Sequence, residues 1–150
     1  MTDKKSEFAG ASAYYHPIDK PGGGGLQTFR KSIGIQVNYA ESGTAQLSLE
    51  VDDFHLQSLG SVHGGVYATL IDSAIAHAVR TGRVDSQAGM TTELTVSFLK
   101  RVTRGSLRAV AKVEHLGQRI MIGSCDVFDD TGKRVAMGKA TFYVATTGGV

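Results

Sequence analysis

Cys125 is the only thiol in this 150-residue chain, which excludes an internal disulfide and leaves stability to a hydrophobic core. It lies in an apolar alternating segment, where a small buried thiol is expected, and no neighbouring base would make it a nucleophile. A lone reduced thiol points to a cytoplasmic setting. No apolar run reaches the roughly 20 residues of a membrane-spanning helix, and the nearest approach is interrupted by Asp72 and His77. The N-terminal region lacks the basic start and apolar run of a secretory signal, and Asp3, Glu7 and Asp19 are unlike an acid-poor transit peptide. A formal charge of +2 is too small to imply a nucleic-acid partner. His55, His77 and His115 show no metal-ligand spacing with Cys125 or the carboxylates, so no metal site is expected. No serine occupies a G-x-S-x-G elbow.

What is present is an ordinary globular composition, 41% hydrophobic and 20% charged, of a length that suits one domain. Residues 1–25 read as an N-terminal arm ending in the flexible break Pro21-Gly22-Gly23-Gly24-Gly25, and residues 26–150 as the folded domain. Ile33, Ile35, Val37 and Tyr39 alternate with polar residues, and so do Ala45, Leu47, Leu49 and Val51 beyond Ser42-Gly43, which predicts a hairpin. A loop from Asp52 to Val62 leads into an apolar helix from Val66 to Val79, expected to be buried on all sides. Four more strands follow. Met90, Thr92, Leu94, Val96 and Phe98 are predicted to share one face of the first, and Leu107, Ala109, Ala111 and Val113 one face of the second. The last two run from Ile120 to Phe128 and from Val135 to Ala145, joined by a turn at Asp129-Asp130-Thr131-Gly132. Strand, strand, helix and four strands give an α+β domain, an antiparallel sheet wrapped around one long helix. Apolar residues on the outer face predict a partner subunit.

Chemistry concentrates between Gln57 and Asp72. His63-Gly64-Gly65 opens the helix, where free N–H groups and the dipole favour negative charge and glycine permits close approach of a ligand. Aimed at a thioester or ester carbonyl, such donors form an oxyanion hole. Asp72, a carboxylate in an apolar helix, needs pairing or a catalytic use. It follows Gly64 by eight residues, roughly 12 Å along one helix, too far for both to serve one carbonyl. If both are catalytic, two antiparallel helices from two chains must build the site. Gln57, with a donor and an acceptor, suits the orientation of a water or a carbonyl.

The motif H-G-G-x-x-x-x-L-x-D, met by His63, Gly64, Gly65, Leu70 and Asp72, stands with the later segments TTELTVSFLKR and VEHLGQRIMIGSCDVFDDTGKRVAMGKATFYV. Together they resemble the hotdog-fold acyl-CoA thioesterases of the phenylacetate-degradation (PaaI-like) branch. That resemblance implies hydrolysis of an aryl- or short- to medium-chain acyl-CoA to free acid and CoA, with no cofactor beyond the coenzyme A of the substrate. It implies Asp72 as nucleophile or general base, the Gly64 N–H as oxyanion donor, His63 as a residue shaping that hole, and Gly65 as part of the substrate-binding turn. Gln57 stands seven residues before Gly64, where family members commonly carry Asn, and Thr91, or Thr92 beside it, matches a hydroxyl that holds the hydrolytic water. Lys100, Arg101 and Arg119 are the implied phosphate contacts, with Arg104 and Arg108 nearby and Arg119 preferred. A homodimer, itself paired into a tetramer, is the implied assembly. Two other readings are a hotdog dehydratase acting on a 3-hydroxyacyl thioester and a non-catalytic acyl-CoA-binding module.

Overall fold

Residues two apart bury one face of each strand, and residues at helical spacing press the helix onto that face. The computed structural model describes residues 28–83 and 86–146, and the arm expected over residues 1–25 lies outside them. A short helix α1 (Phe29–Ser32) precedes β1 (Gln36–Glu41) and β2 (Thr44–Glu50). A 3-10 turn (Asp53–His55), the long helix α2 (Gly64–Gly82) and strands β3 (Ser86–Phe98), β4 (Ser106–Leu116), β5 (Ile120–Asp129) and β6 (Arg134–Thr146) follow. The strands form one antiparallel sheet in the order β1-β2-β4-β5-β6-β3. The sheet curves around α2, which touches every strand, and this is the expected α+β hotdog fold.

The core is the space between α2 and the concave face. Leu70, Ile71, Ala74, Ile75 and Ala78 of the helix are fully buried against Leu47, Leu107, Ala109, Met121 and Phe142 of the sheet. Two glycines in the neighbouring strands β5 and β6 set how closely the layers approach. A Cβ at Gly138 would lie 2.7 Å from Ile71 Cγ2 and 2.9 Å from the Thr95 carbonyl, and one at Gly123 would overlap Ile75 Cγ2. Ile71 and Ile75, one turn apart, each fill a hollow that only glycine leaves open.

Three expectations change. First, α2 is not buried on all sides within one chain: Gly65 is exposed, and Thr69, Asp72, Ser73, Ala76 and Arg80 are half-buried along the side turned from the sheet. One sheet covers only one side of a helix. Second, Ile33 and Ile35 are buried ahead of β1 rather than within it, while Val37 and Tyr39 are exposed. β1 is an edge strand, and its register shift between Val37 and Tyr39 turns Ala40 inward and Tyr39 outward. Third, β3 is irregular between Thr91 and Glu93, where two residues pass one step of β6. Thr91 therefore sits opposite buried Phe142, in line with Leu94 opposite Ala140, while Met90 is 67% exposed. Strict alternation placed Met90 and Thr92 with Leu94; the bulge puts Thr91 on the helix side instead. Cys125 is buried as expected, and burial, with the Asp126 charge adding to it, pushes its thiol up to about 12. Among the described residues no helix is long and apolar enough to cross a membrane.

Replacing Gly138 by Ala forces a methyl between Ile71 and the Thr95 carbonyl. The variant is expected to lose about 1–3 kcal/mol of unfolding free energy in urea, with the slope of the transition unchanged. A stability equal to wild type would show that the layers can separate at no cost.

Candidate active site

Asp72 projects from the middle of α2, one residue after Ile71, toward the edge strand β3. The bulge brings Thr91 to meet it, and Thr91 Oγ1 donates to Asp72 Oδ1 at 2.7 Å. Thr92, the alternative, instead donates its hydroxyl to the Thr141 carbonyl at 3.1 Å. Asp72 is half-buried, so its carboxylate has one oxygen fixed and an approach for a reactant. The hydroxyl spends its single proton on the carboxylate and keeps its own lone pairs, so the pair can hold a water between an acceptor acid and an acceptor hydroxyl.

The start of α2 is a separate arrangement. His63 is the N-cap, with extended backbone, and its Nδ1 accepts the Gly65 N–H at 2.8 Å. The ring must therefore carry its proton on Nε2. A Cβ at Gly65 would come within 3.0 Å of that Nδ1, so the second glycine is the one the cap requires. A Cβ at Gly64 would lie 3.2 Å from Phe98 Cζ, so the first glycine fits the helix start against the end of β3. With the Gly65 N–H capped, the Gly64 N–H donates to no group among the described residues and stands at the positive end of the helix dipole.

The loop before the helix is held rigidly. Buried His55 uses both ring nitrogens: Nδ1 accepts the Asp52 N–H at 3.0 Å, and Nε2 donates to the Ile33 carbonyl at 2.7 Å. The His55 carbonyl accepts the His63 N–H at 2.8 Å, and Val62 N–H reaches the Val102 carbonyl at 2.8 Å. Gln57 is occupied within the loop, its amide donating to Ser61 Oγ at 2.8 Å and its carbonyl accepting the Leu59 N–H at 2.6 Å. A groove of about 410 Å³ opens beside Gly64, with Gln57, Tyr67, Phe98, Lys100 and Arg101 among its lining. Phe54 and Leu59, elsewhere on the same loop, are exposed. Phe98 stands edge-on to Tyr67 at 5.8 Å, a contact that no sequence spacing announces.

The basic residues divide. Lys100 Nζ pairs with the buried carboxylate of Asp129 at 2.8 Å. Arg101 donates to the Leu59 carbonyl. Arg119 is exposed on the β4–β5 turn, beside the C-terminus of α2, where Gly82 packs on Leu116 and Arg83 donates to the Gly117 carbonyl at 3.1 Å. Within one chain Gln57, Gly64, Lys100 and Arg101 thus gather at one end of the helix, Asp72 and Thr91 at its middle, and Arg119 at the other end. Asp129 was not foreseen as part of this region. Hydrogen bonds from Lys100, then from Thr131 and the Lys133 N–H, hold its carboxyl well below the usual carboxylate range. Tyr67 goes the other way, burial and then the Asp129 charge raising its hydroxyl to about 12. Among the described residues no group of three His, Cys, Asp or Glu could hold a metal ion.

The curved antiparallel sheet around one long helix is the hotdog fold, and it presents a carboxylate steadied by a hydroxyl and an unpaired N–H at a helix start. Residues 59–136 match the Thioesterase superfamily, and the chain belongs to it. A relative in Halobacterium salinarum is 34% identical over 80% of this chain and 84% of its own. The 1,4-dihydroxy-2-naphthoyl-CoA hydrolase of Listeria monocytogenes is 27% identical over 80% of this chain and 95% of its own. A conserved protein of Pseudomonas aeruginosa has a solved structure that superposes with a TM-score of 0.75, at 26% identity over 80% of this chain and 95% of that one. The protein is a thioesterase.

Asp129 gives a pH signature in the stability of the fold. Because its folded pKa is depressed, the stability it contributes is complete above the unfolded value, about 3.9, and is lost as the pH falls through the folded value. Wild type is expected to be more stable than Asp129→Asn at pH 7, the gap shrinking below about pH 4. Thermal melts of both proteins across the acid range measure this, and a constant gap would contradict it.

Proposed function

We propose that the protein hydrolyses an acyl-CoA to the free acid and CoA, at a site shared by two subunits. The observation that carries this reading is the 2.7 Å bond between Thr91 and Asp72, set apart from an unpaired Gly64 N–H eight residues earlier on the same helix. Asp72 of one subunit acts at the carbonyl carbon, and Gly64 of the partner subunit donates its N–H to the carbonyl oxygen. Either Asp72 takes a proton from a water held with Thr91, or its oxygen adds directly to form an anhydride that water then opens. In both, the C–S bond breaks, the thiolate leaves as CoA and recovers a proton, and the acid takes the oxygen of water or of the carboxylate. His63 holds the helix start and Gln57 the loop beside it, so both act by positioning the Gly64 donor.

The aromatic lining of the groove, Tyr67 and Phe98, supports an aryl or compact acyl group, and the naphthoyl-CoA substrate named for the Listeria relative agrees in kind. Lys100 is committed to Asp129, which leaves Arg101 and Arg119 as the phosphate contacts of the coenzyme. Arg119 lies at the helix end that an antiparallel partner carries toward Gly64. The unpaired edge of β3 supports pairing with a second copy.

Asp72→Asn keeps shape and removes the charge. It is expected to lower thiol release from aryl- and alkyl-CoA thioesters by at least about a hundredfold, and Thr91→Val by less. No thiol release by wild type from any thioester in the panel would sink the hydrolase reading. Gly64→Pro removes the N–H at a helical position where proline is tolerated but sets a ring against Phe98, so Gly64→Ala, which adds the Cβ and keeps the N–H, is its control; the proline variant is expected to be inactive yet folded, and the alanine variant to stay active. Refolding the proline variant with Asp72→Asn makes mixed dimers with one intact site each, and activity is expected to return to about a quarter of wild type. No recovery would mean that each chain works alone.

A further inference from the structure

The connection after β3, residues 99–105, joins the sheet to the loop ahead of α2. Its first two N–H groups, of Leu99 and Lys100, both donate to the Val135 carbonyl of β6, at 2.9 and 3.1 Å. Further on, the Val102 carbonyl accepts the N–H of Val62, the residue before the N-cap His63, at 2.8 Å. Arg101 donates to the Leu59 carbonyl of the same loop. At the far end the Gly105 carbonyl accepts the Val51 N–H at 2.8 Å, and a Cβ at Gly105 would overlap the Asp130 carboxylate. An ion pair closes this strap, Lys100 Nζ donating to Asp129 Oδ2 at 2.8 Å. Resting on the thioesterase reading, we infer that Asp129 is a positioning residue of the reaction, latching through Lys100 the strap that sets where the start of α2 presents the Gly64 N–H.

The two oxygens of Asp129 have separate tasks. Oδ1 accepts the Thr131 N–H at 3.0 Å, the Thr131 hydroxyl at 2.6 Å and the Lys133 N–H at 3.0 Å, and so builds the β5–β6 turn. Oδ2 accepts from Lys100 alone among the described residues. The turn closes on Oδ1, so the second oxygen serves the strap. Asp129 is buried, and a buried ion pair is rarely more stable than apolar packing in its place; what it adds is one fixed geometry. The carboxylate sits close behind the groove, for its charge is felt at Tyr67, three residues along α2 from Gly64. An oxyanion donor acts only where charge develops, and a displacement of about 1 Å can cost a hundredfold in rate.

Lys100→Met removes the ammonium and keeps most of the stem, whereas Lys100→Arg can keep the pair. Lys100→Met combined with Asp129→Asn removes both charges, so that no buried carboxylate is left unpaired to unfold the chain. The probes are benzoyl-CoA and the benzoyl thioester of N-acetylcysteamine, which carries no phosphate. Both methionine variants are expected to lower kcat by about tenfold or more on both thioesters, with KM for the phosphate-free one within about threefold of wild type. Lys100→Arg is expected to lose much less. Amide exchange followed by NMR is expected to quicken about tenfold at Val62 in the methionine variants and to stay unchanged at Leu107 in the core. A loss confined to KM and to benzoyl-CoA would make Lys100 a phosphate contact and overturn the inference, as would an unchanged kcat or an unchanged exchange at Val62. Absence of thiol release by wild type from both thioesters overturns the hydrolase reading instead, and exchange at Val62 still decides whether the latch holds the helix start.

Discussion

The position of α2 on the sheet rests on two hollows in neighbouring strands, Gly123 in β5 and Gly138 in β6, filled by Ile75 and Ile71. Close packing makes this seat discrete: a side chain at either glycine meets a helix carbon and a strand carbonyl together, so the helix can neither slide nor sink. Asp72 is the residue after Ile71, about 100° further round the helix. Seating Ile71 therefore aims Asp72 at the β3 edge. The site inherits its precision from an apolar contact one residue away, a scaffold on which a polar pair can be held within hydrogen-bond distance.

The second determinant is an irregularity in β3. A regular strand places side chains alternately, and along such a strand Thr91 would turn its back on the helix. The bulge between Thr91 and Glu93 adds one residue, and Thr91 comes to the helix side to bond Asp72, while Thr92 turns its hydroxyl to the Thr141 carbonyl. Apolar periodicity carries no trace of this, since Met90 reads as a core residue at the position that the bulge exposes. The hairpin, the helix and the order of the later strands were legible because apolar residues there repeat at two or at helical spacing. The motif His63-Gly64-Gly65 with Asp72 was legible because its residue types are costly or permissive in ways that ask for a use. Thr91 was legible only through the family resemblance, and Phe98 and Asp129 were not, because they reach the region from distant parts of the chain.

The loop ahead of the helix shows how polar residues that look catalytic can serve the site by holding backbone. His55 is buried with both ring nitrogens bonded, Gln57 bridges its own turn, and His63 takes the Gly65 N–H. Each bond removes an alternative conformation of a segment that has little apolar periodicity to fix it. The consequence is selective: capping satisfies the second glycine's N–H and leaves the first glycine's N–H bare. A helix start normally has several free donors that water competes to fill. Here the choice among them is made by the ring of His63, and the absence of a side chain at Gly65 is what lets that ring fold over the helix.

What one chain leaves unfinished has a common geometry. The bare Gly64 donor and Asp72, which Thr91 of β3 bonds, lie on one helix about 12 Å apart, further than any reaction at a single carbonyl allows. The side of that helix turned from the sheet carries Gly65, Thr69, Asp72, Ser73 and Ala76, small or polar residues left partly open, and β3 ends the sheet with unpaired backbone. The two-fold axis proposed between α2 and its copy would answer all three at once, since antiparallel helices bring one start to the other's middle and β3 meets its own equivalent. Small side chains between the helices keep that spacing short. A translation would instead set β3 of one copy against β1 of the next and propagate without closing, whereas the proposed rotation closes a dimer in which each donor can meet the other copy's carboxylate.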